Sequence, residues 1–142
     1  MKKKPIIRIS IVVAFLVTFA GSVSAETLSY ADAIDKLAAT CGKDINKYCK
    51  SARLGNNRIR DCLKQNDAKL SSSCRSTYGE VYSQVERRAQ AQIDVLKVCR
   101  GDYERLCKGV TRAKGHTLNC LLKAKKRVKD KCNQMITDAG FR

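Results

Sequence analysis

The eight cysteines of this chain form two copies of one spacing pattern. Within each copy, successive cysteines are 8, 13 and 12 residues apart, and each has a counterpart 58 residues later. The first copy comprises Cys41, Cys49, Cys62 and Cys74, and the second comprises Cys99, Cys107, Cys120 and Cys132. A fixed period of this kind marks an internal repeat in which each copy is one supersecondary unit. The spacing therefore predicts two similar units in tandem.

The first 25 residues have the pattern of a secretory signal peptide. Basic residues at positions 2–4 and 8 precede an apolar stretch at residues 9–20, and small residues at 23–25 predict cleavage before Glu26. The apolar stretch is shorter than the roughly 20 residues that a membrane-spanning helix needs. We therefore expect export to the periplasm or the cell exterior after cleavage near Ala25.

Export and small repeat size both predict disulfide bonding of the cysteines. Units of this length are marginal with a hydrophobic core alone and commonly add disulfides, which an oxidising compartment allows. Four cysteines permit three connectivities, and spacing alone does not choose among them. Helices that run back and forth favour a nested arrangement. The favoured pairs are Cys41–Cys74 and Cys49–Cys62 in the first repeat, and Cys99–Cys132 and Cys107–Cys120 in the second.

Apolar periodicity predicts helices throughout residues 26–142, which contain no proline. One predicted face carries Leu28, Ala31, Ile34, Leu37, Ala38 and Cys41. A second stripe carries Tyr78, Val81, Tyr82, Val85, Ala89 and Leu96, after serines at 71–73 that can cap a helix. Predicted breaks lie at Gly42, Gly55, Asn56, Asn57, Gly101, Gly109 and Gly115. The predicted fold is all-α, with two tandem disulfide-stapled helical repeats, 26–84 and 85–142, that share a long connecting helix.

Alignment of the two repeats at the 58-residue offset shows what they have in common. The identical pairs outside the cysteines are Asp44/Asp102, Lys50/Lys108 and Leu63/Leu121. These positions indicate a shared disulfide frame and a few shared core residues. No catalytic set of polar residues is duplicated.

Candidates for catalysis and metal binding are weak in this sequence. His116, the only histidine, precedes Cys120 by four residues and would share its helix face, but Cys120 is expected to be oxidised. The cysteines are at least eight residues apart, whereas structural zinc sites pair closer ligands. We therefore expect no catalytic residues, metal ligands or cofactor. The alternative is a thiol-dependent metal-binding or redox stress protein, in which some cysteines are reduced.

A cluster of cations near the C-terminus is the main candidate for partner binding. We call Lys123, Lys125, Lys126, Arg127, Lys129 and Lys131 the basic run. The chain has a formal charge of +16, and cations at this density attract polyanions or acidic proteins. Export and sparse aromatic residues disfavour nucleic acid as the physiological partner. The plainer interpretation is a solvated helix face. The five tyrosines at 30, 48, 78, 82 and 103 are expected to be packing residues.

The cysteine pattern resembles the cysteine-rich repeat of the Golgi apparatus protein 1 family, also called the cysteine-rich fibroblast growth factor receptor repeat. The similarity rests on the four cysteines, on Asp44 and Asp102 three residues after the first cysteine, and on Leu63 and Leu121 after the third. The resemblance implies a helical, disulfide-bonded extracytoplasmic module without catalytic residues. With two repeats, the chain looks more like the short exported bacterial members than like the large animal members, which carry many repeats. These observations together predict a non-enzymatic periplasmic or cell-envelope module for binding or structure.

Overall fold

The computed structural model describes residues 27–53 and 55–142, and within them all regular structure is helical. The elements are α1 Tyr30–Tyr48, α2 Arg58–Gln65, α3 Ser72–Val98, α4 Arg100–Leu106, α5 Lys114–Lys123 and α6 Asp130–Asp138. Short 3₁₀ turns at Asp67–Lys69 and Lys125–Arg127 follow α2 and α5. The predicted all-α fold is confirmed. The predicted signal peptide lies outside the described residues.

Helix α1 begins at a side-chain cap and buries one narrow stripe. The hydroxyl of Ser29 accepts a hydrogen bond from the backbone N–H of Asp32, which satisfies a donor of the first turn. The buried residues of α1 are Ala33, Leu37 and Cys41, spaced four apart. The face predicted from the sequence is therefore wrong in part, because Ile34 is 50% exposed. The stripe follows the i, i+4 rows of the helix rather than its broader apolar face.

Helix α3 is the predicted long connecting helix, and it serves both repeats. It runs for 27 residues, and the Ser71 hydroxyl caps it by accepting from the backbone N–H of Cys74. Its first half packs Val81 into one core, and its second half packs Val95 into another. The buried stripe changes direction between these halves, because α1 covers one and α6 the other. Consequently Leu96, predicted on the apolar stripe, is 37% exposed.

The two cores occupy equivalent positions of the two repeats. The first contains Ala33, Leu37, Cys41, Cys49, Leu63, Leu70, Cys74 and Val81. The second contains Val95, Cys99, Cys107, Leu118, Leu121, Val128, Cys132 and Ile136. Six residues of the first set have their 58-residue counterparts in the second. Each repeat therefore buries its own core, as expected of units related by duplication.

Some of the predicted breaks are wrong. Gly42, Gly101 and Gly115 lie inside α1, α4 and α5, since a single glycine costs a helix only about 1 kcal/mol. The turn at Gly55–Asn57 is where a break does occur, and all three residues have positive φ. Gly109, with φ of 84°, marks the corresponding loop of the second repeat. In both loops the chain adopts a left-handed backbone conformation at glycine or asparagine, because these residue types tolerate positive φ.

The Arg88 side chain joins the two repeats at the middle of α3. Its guanidinium donates to the backbone carbonyls of Thr27 and Leu28 on one side and of Gly140 on the other. The carboxamide of Gln92, one turn further along, donates to the carbonyl of Ala139. These bonds tie the chain before α1 and the chain after α6 to the shared helix.

None of the described helices combines the length and the hydropathy that a membrane span requires.

Candidate anion-binding surface

Four disulfides fix the frame on which the candidate surface is built. Cys41 bonds to Cys74 and Cys99 to Cys132, each across 33 residues of sequence. Cys49 bonds to Cys62 and Cys107 to Cys120, each across 13 residues. The arrangement is nested in both repeats, and no cysteine is free. The outer disulfide of each repeat is buried. In the first repeat it joins α1 to α3, and in the second it joins the α3–α4 junction to α6.

An aspartate three residues after the first cysteine holds the turn in each repeat. The Asp44 carboxylate accepts from the backbone N–H of Ser71 at 3.1 Å and from its hydroxyl at 2.7 Å. Asp102 accepts from the backbone N–H of Lys129 at 3.2 Å and pairs with the Arg105 guanidinium. The hydrogen bonds from Ser71 lower the pKa of Asp44 below its ordinary value. The sequence shows this identity between the repeats but not its role.

Two further contacts hold the 3₁₀ turns in equivalent ways. In the first repeat, the Arg75 guanidinium donates to the carbonyls of Asp67 and Leu70. In the second repeat, the Asn133 carboxamide donates to the carbonyls at the matching positions, Lys125 and Val128. Different side chains thus stabilise the same backbone path. The two turns have equivalent frames even though their surfaces differ.

The basic run lies around the 3₁₀ turn of the second repeat rather than along one helix face. It begins at the end of α5, passes through the turn Lys125–Arg127, and ends in the first turn of α6. All six side chains are exposed. Among the residues that the structure describes, none of the six forms an ion pair with a carboxylate. The cations are therefore solvated, as the plainer interpretation expects, but they do not share one helix face.

The first repeat carries no net charge at the six positions that correspond to the basic run. Those positions hold Gln65, Asp67, Ala68, Lys69, Ser71 and Ser73. One acidic and one basic residue cancel there, whereas the second repeat has six cations on the equivalent turn. The fold of the turn therefore does not require the cations.

A shallow depression of about 480 Å³ adjoins the basic run. We call its partly buried lining residues, Val110, Ala124 and the disulfide-bonded Cys120, the floor, and its exposed polar lining residues the rim. The rim residues are His116, Asn119, Lys123 and Arg127. The backbone carbonyl of Arg127 accepts a hydrogen bond from Arg105 at 2.8 Å, which fixes this residue while its side chain stays exposed.

His116 and Cys120 both line this depression, but they do not form a nucleophile and base. Cys120 is bonded to Cys107, so its sulfur is not a thiolate. His116 is exposed at the rim. The sequence identifies the shared helix face, and the structure makes that face a wall of the depression.

The tyrosines are packing residues with one exception. Tyr48, Tyr78, Tyr82 and Tyr103 are partly buried against the two cores, whereas Tyr30 is 47% exposed. The Tyr78 hydroxyl donates to the Asp67 carboxylate at 2.7 Å, and this hydrogen bond raises the pKa of the tyrosine.

Among known proteins, the chain is similar in sequence to Golgi apparatus protein 1 of several animals. No family model and no solved structure matches the chain. Golgi apparatus protein 1 of Rattus norvegicus is 30% identical over 104 residues, which is 71% of this chain and 9% of the relative. The Homo sapiens protein is 29% identical over the same share of each chain. That of Gallus gallus is 30% identical over 72% of this chain and 9% of the relative.

Helices in tandem units with nested disulfides define an all-α cysteine-rich repeat protein. The similarity in sequence makes this chain a relative of Golgi apparatus protein 1, and the resemblance to its cysteine-rich repeat family is confirmed. The chain spans 9% of the length of these curated relatives. Four disulfides are consistent with a protein of the export or secretory pathway.

Proposed function

We propose that this protein is a non-enzymatic exported module, of the periplasm or cell envelope, that binds an anionic partner through the basic run. The observation that carries the proposal is the difference between the two repeats. The same backbone turn has a net charge of zero in one repeat and six cations in the other. Because the fold accepts neutral residues there, stability does not account for the cations, and recognition of an anion does.

The positions of the cations also support binding rather than solubility alone. Six exposed cations without carboxylate partners repel one another, which costs free energy in the unbound protein. An anionic partner removes that repulsion and gains several charge-assisted hydrogen bonds. The one carboxylate within residues 123–131 is Asp130, which leaves that segment strongly positive. Two other carboxylates of the second repeat are already engaged, since Asp102 pairs with Arg105 and Glu104 with Arg100.

The test uses residues that the fold already accepts. In the first variant, Lys126→Ala, Lys129→Ser and Lys131→Ser replace three cations with their counterparts from the first repeat. In the control, Lys43→Gln, Lys50→Gln and Lys64→Gln remove the same charge from exposed positions of the first repeat. Binding is measured on an immobilised sulfated polysaccharide at increasing salt. At roughly 0.5 kcal/mol per exposed charge contact, the first variant should bind about tenfold more weakly.

The control variant distinguishes binding through a defined surface from attraction by the net charge of the protein. We expect the control variant to elute close to the parent protein, because its lost charges lie in the other repeat. Equal losses for the two variants would show that only total charge matters, and no loss for either would remove the proposal. Lys129→Ser should stabilise α6, because it adds a helix cap like that of Ser71. A loss of binding in this variant would therefore not be explained by unfolding.

The thiol-dependent alternative is tested separately by the state of the cysteines. In the structure all eight sulfurs are in disulfides, so such a role requires a reduced form. Intact mass of the exported protein, with alkylation before and after reduction, distinguishes the two. Alkylation before reduction would favour the thiol-dependent function. Alkylation only after reduction, at all eight cysteines, would favour the binding module.

A further inference from the structure

We propose that the depression beside the basic run is a subsite for one acidic sugar residue of a polysaccharide. This inference rests on the proposed function and names the partner class of the same surface. The depression has an apolar floor, at Val110 and Ala124, and a cationic rim, at Lys123 and Arg127. A pyranose ring that carries a carboxylate or sulfate has the matching chemistry, with an apolar C–H face and an anionic substituent.

Each group at the rim has a partner on such a sugar. The Arg127 guanidinium is suited to two parallel hydrogen bonds with a carboxylate or sulfate, and Lys123 adds a second positive charge. Asn119 and His116 are exposed at the rim and supply hydrogen-bonding groups for ring hydroxyls. A depression of about 480 Å³ lies within the usual size range of small-ligand sites, roughly 300–1,000 Å³.

Two other anionic polymers fit this surface less well. Single-stranded nucleic acid binds through bases that stack on aromatic rings, and the residues that line the depression include no Phe, Tyr or Trp. Insertion between lipid headgroups needs apolar side chains beside the cations, and without them a membrane surface offers only the electrostatic attraction of its anionic headgroups. The exposed large apolar residues of the described chain lie on α1 and α3 instead, at Tyr30, Ile34, Ile93 and Leu96. The basic run has none of its own.

The first repeat again provides a substitution that separates the subsite from general charge. Its residues at the two floor positions are Ala52 and Asn66. The Asn66 carboxamide donates to the carbonyl of Cys62 at 3.0 Å, so the fold accepts asparagine there. The double variant Val110→Ala and Ala124→Asn therefore changes the floor while it keeps every charge of the rim. Val110 is partly buried against the second core, so the unfolding temperature of this variant should fall by about 5 °C, which leaves it folded in the binding assay.

The experiment measures binding of a sulfated uronic-acid tetrasaccharide to the full chain by calorimetry. We expect the floor variant to bind about tenfold more weakly, since a lost apolar contact of roughly 50 Å² is equivalent to about 1.4 kcal/mol. Amide NMR signals of Asn119 and Ala124 should shift during titration of the parent protein. A neutral tetrasaccharide should leave them in place.

The outcomes separate this inference from the proposed function. If the floor variant binds the tetrasaccharide as the parent does, while the variant of the basic run loses affinity, the subsite is wrong and the proposed function stands. If neither variant loses affinity, both are wrong. Equal affinity for an oligothymidylate or for phosphatidylglycerol vesicles, at matched charge concentration, would also overturn the choice of an acidic sugar.

Discussion

The buried aspartate of the second repeat provides the sharpest test of how the turn is held. Asp102 is 4% exposed, accepts from the backbone N–H of Lys129, and pairs with Arg105. The change Asp102→Ala leaves that N–H without its acceptor, at a cost of about 2 kcal/mol. The Arg105 side chain is 46% exposed, so its lost ion pair adds only about 0.5 kcal/mol. We expect the free energy of unfolding to fall by about 2.5 kcal/mol.

The assay is urea and thermal unfolding followed by circular dichroism with the disulfides intact. A loss of this size lowers Tm by roughly 10 °C for a domain of this length. The matched control is Asp35→Ala, on the exposed side of α1, which should stay within about 0.5 kcal/mol of the parent. If Asp102→Ala costs no more than the control, the aspartate does not hold the turn, and the argument from its hydrogen bonds is wrong.

Three further changes test other parts of the frame. Lys129→Ser should raise the free energy of unfolding by about 1 kcal/mol, because it supplies α6 with the side-chain cap that it lacks. Gly140→Ala should cost about 1–2 kcal/mol in the same assay, since its φ is 74° and a Cβ would meet the Arg88 guanidinium, whereas Gly79→Ala, in open space within α3, should be stabilising. The pKa of Asp44 is lowered in the folded protein. Its contribution to the free energy of unfolding is therefore complete above its unfolded pKa of about 4 and is lost as pH falls through the folded pKa. Asp44→Asn should therefore flatten the stability–pH curve in acid, and unchanged acid sensitivity in that variant would contradict the assignment.

Local signals were enough to predict α3 as one long helix that starts near the serines at 71–73. The serine at 71 lies before a long apolar stripe without proline, so cap and periodicity agree, and the helix runs as predicted. The same reasoning fails for Leu96 and Ile34, because apolar periodicity does not say which neighbour a helix face meets. In α3 each half faces the core of its own repeat. The direction of burial thus changes within a helix whose sequence pattern is continuous.

Contacts between residues far apart in the chain explain the structural features that could not be predicted from the sequence. Gly42 predicts a helix break from the sequence. In the structure, the buried outer disulfide at Cys41 and the apolar contacts of α1 outweigh the free-energy cost of one glycine in a helix. The role of Asp44 and Asp102 depends on a turn some 27 residues away in the chain. No local pattern encodes that contact. The depression likewise forms only when α5 and its disulfide are placed beside the loop that contains Val110.

The internal duplication explains how one repeat can specialise without loss of fold. Disulfides, core residues and the aspartate contact fix the backbone of each turn from the inside, and these are shared by both repeats. The same turn can be held by different chemistry, because Arg75 and Asn133 make equivalent bonds to its carbonyls. The exposed cations of the basic run form no ion pair among the described residues, so they are not part of that frame. Substitution at exposed positions usually changes stability by less than about 0.5 kcal/mol. Charge on this surface can therefore change without loss of the fold, and the contrast between the repeats marks the second turn as the place to test for the proposed anionic partner.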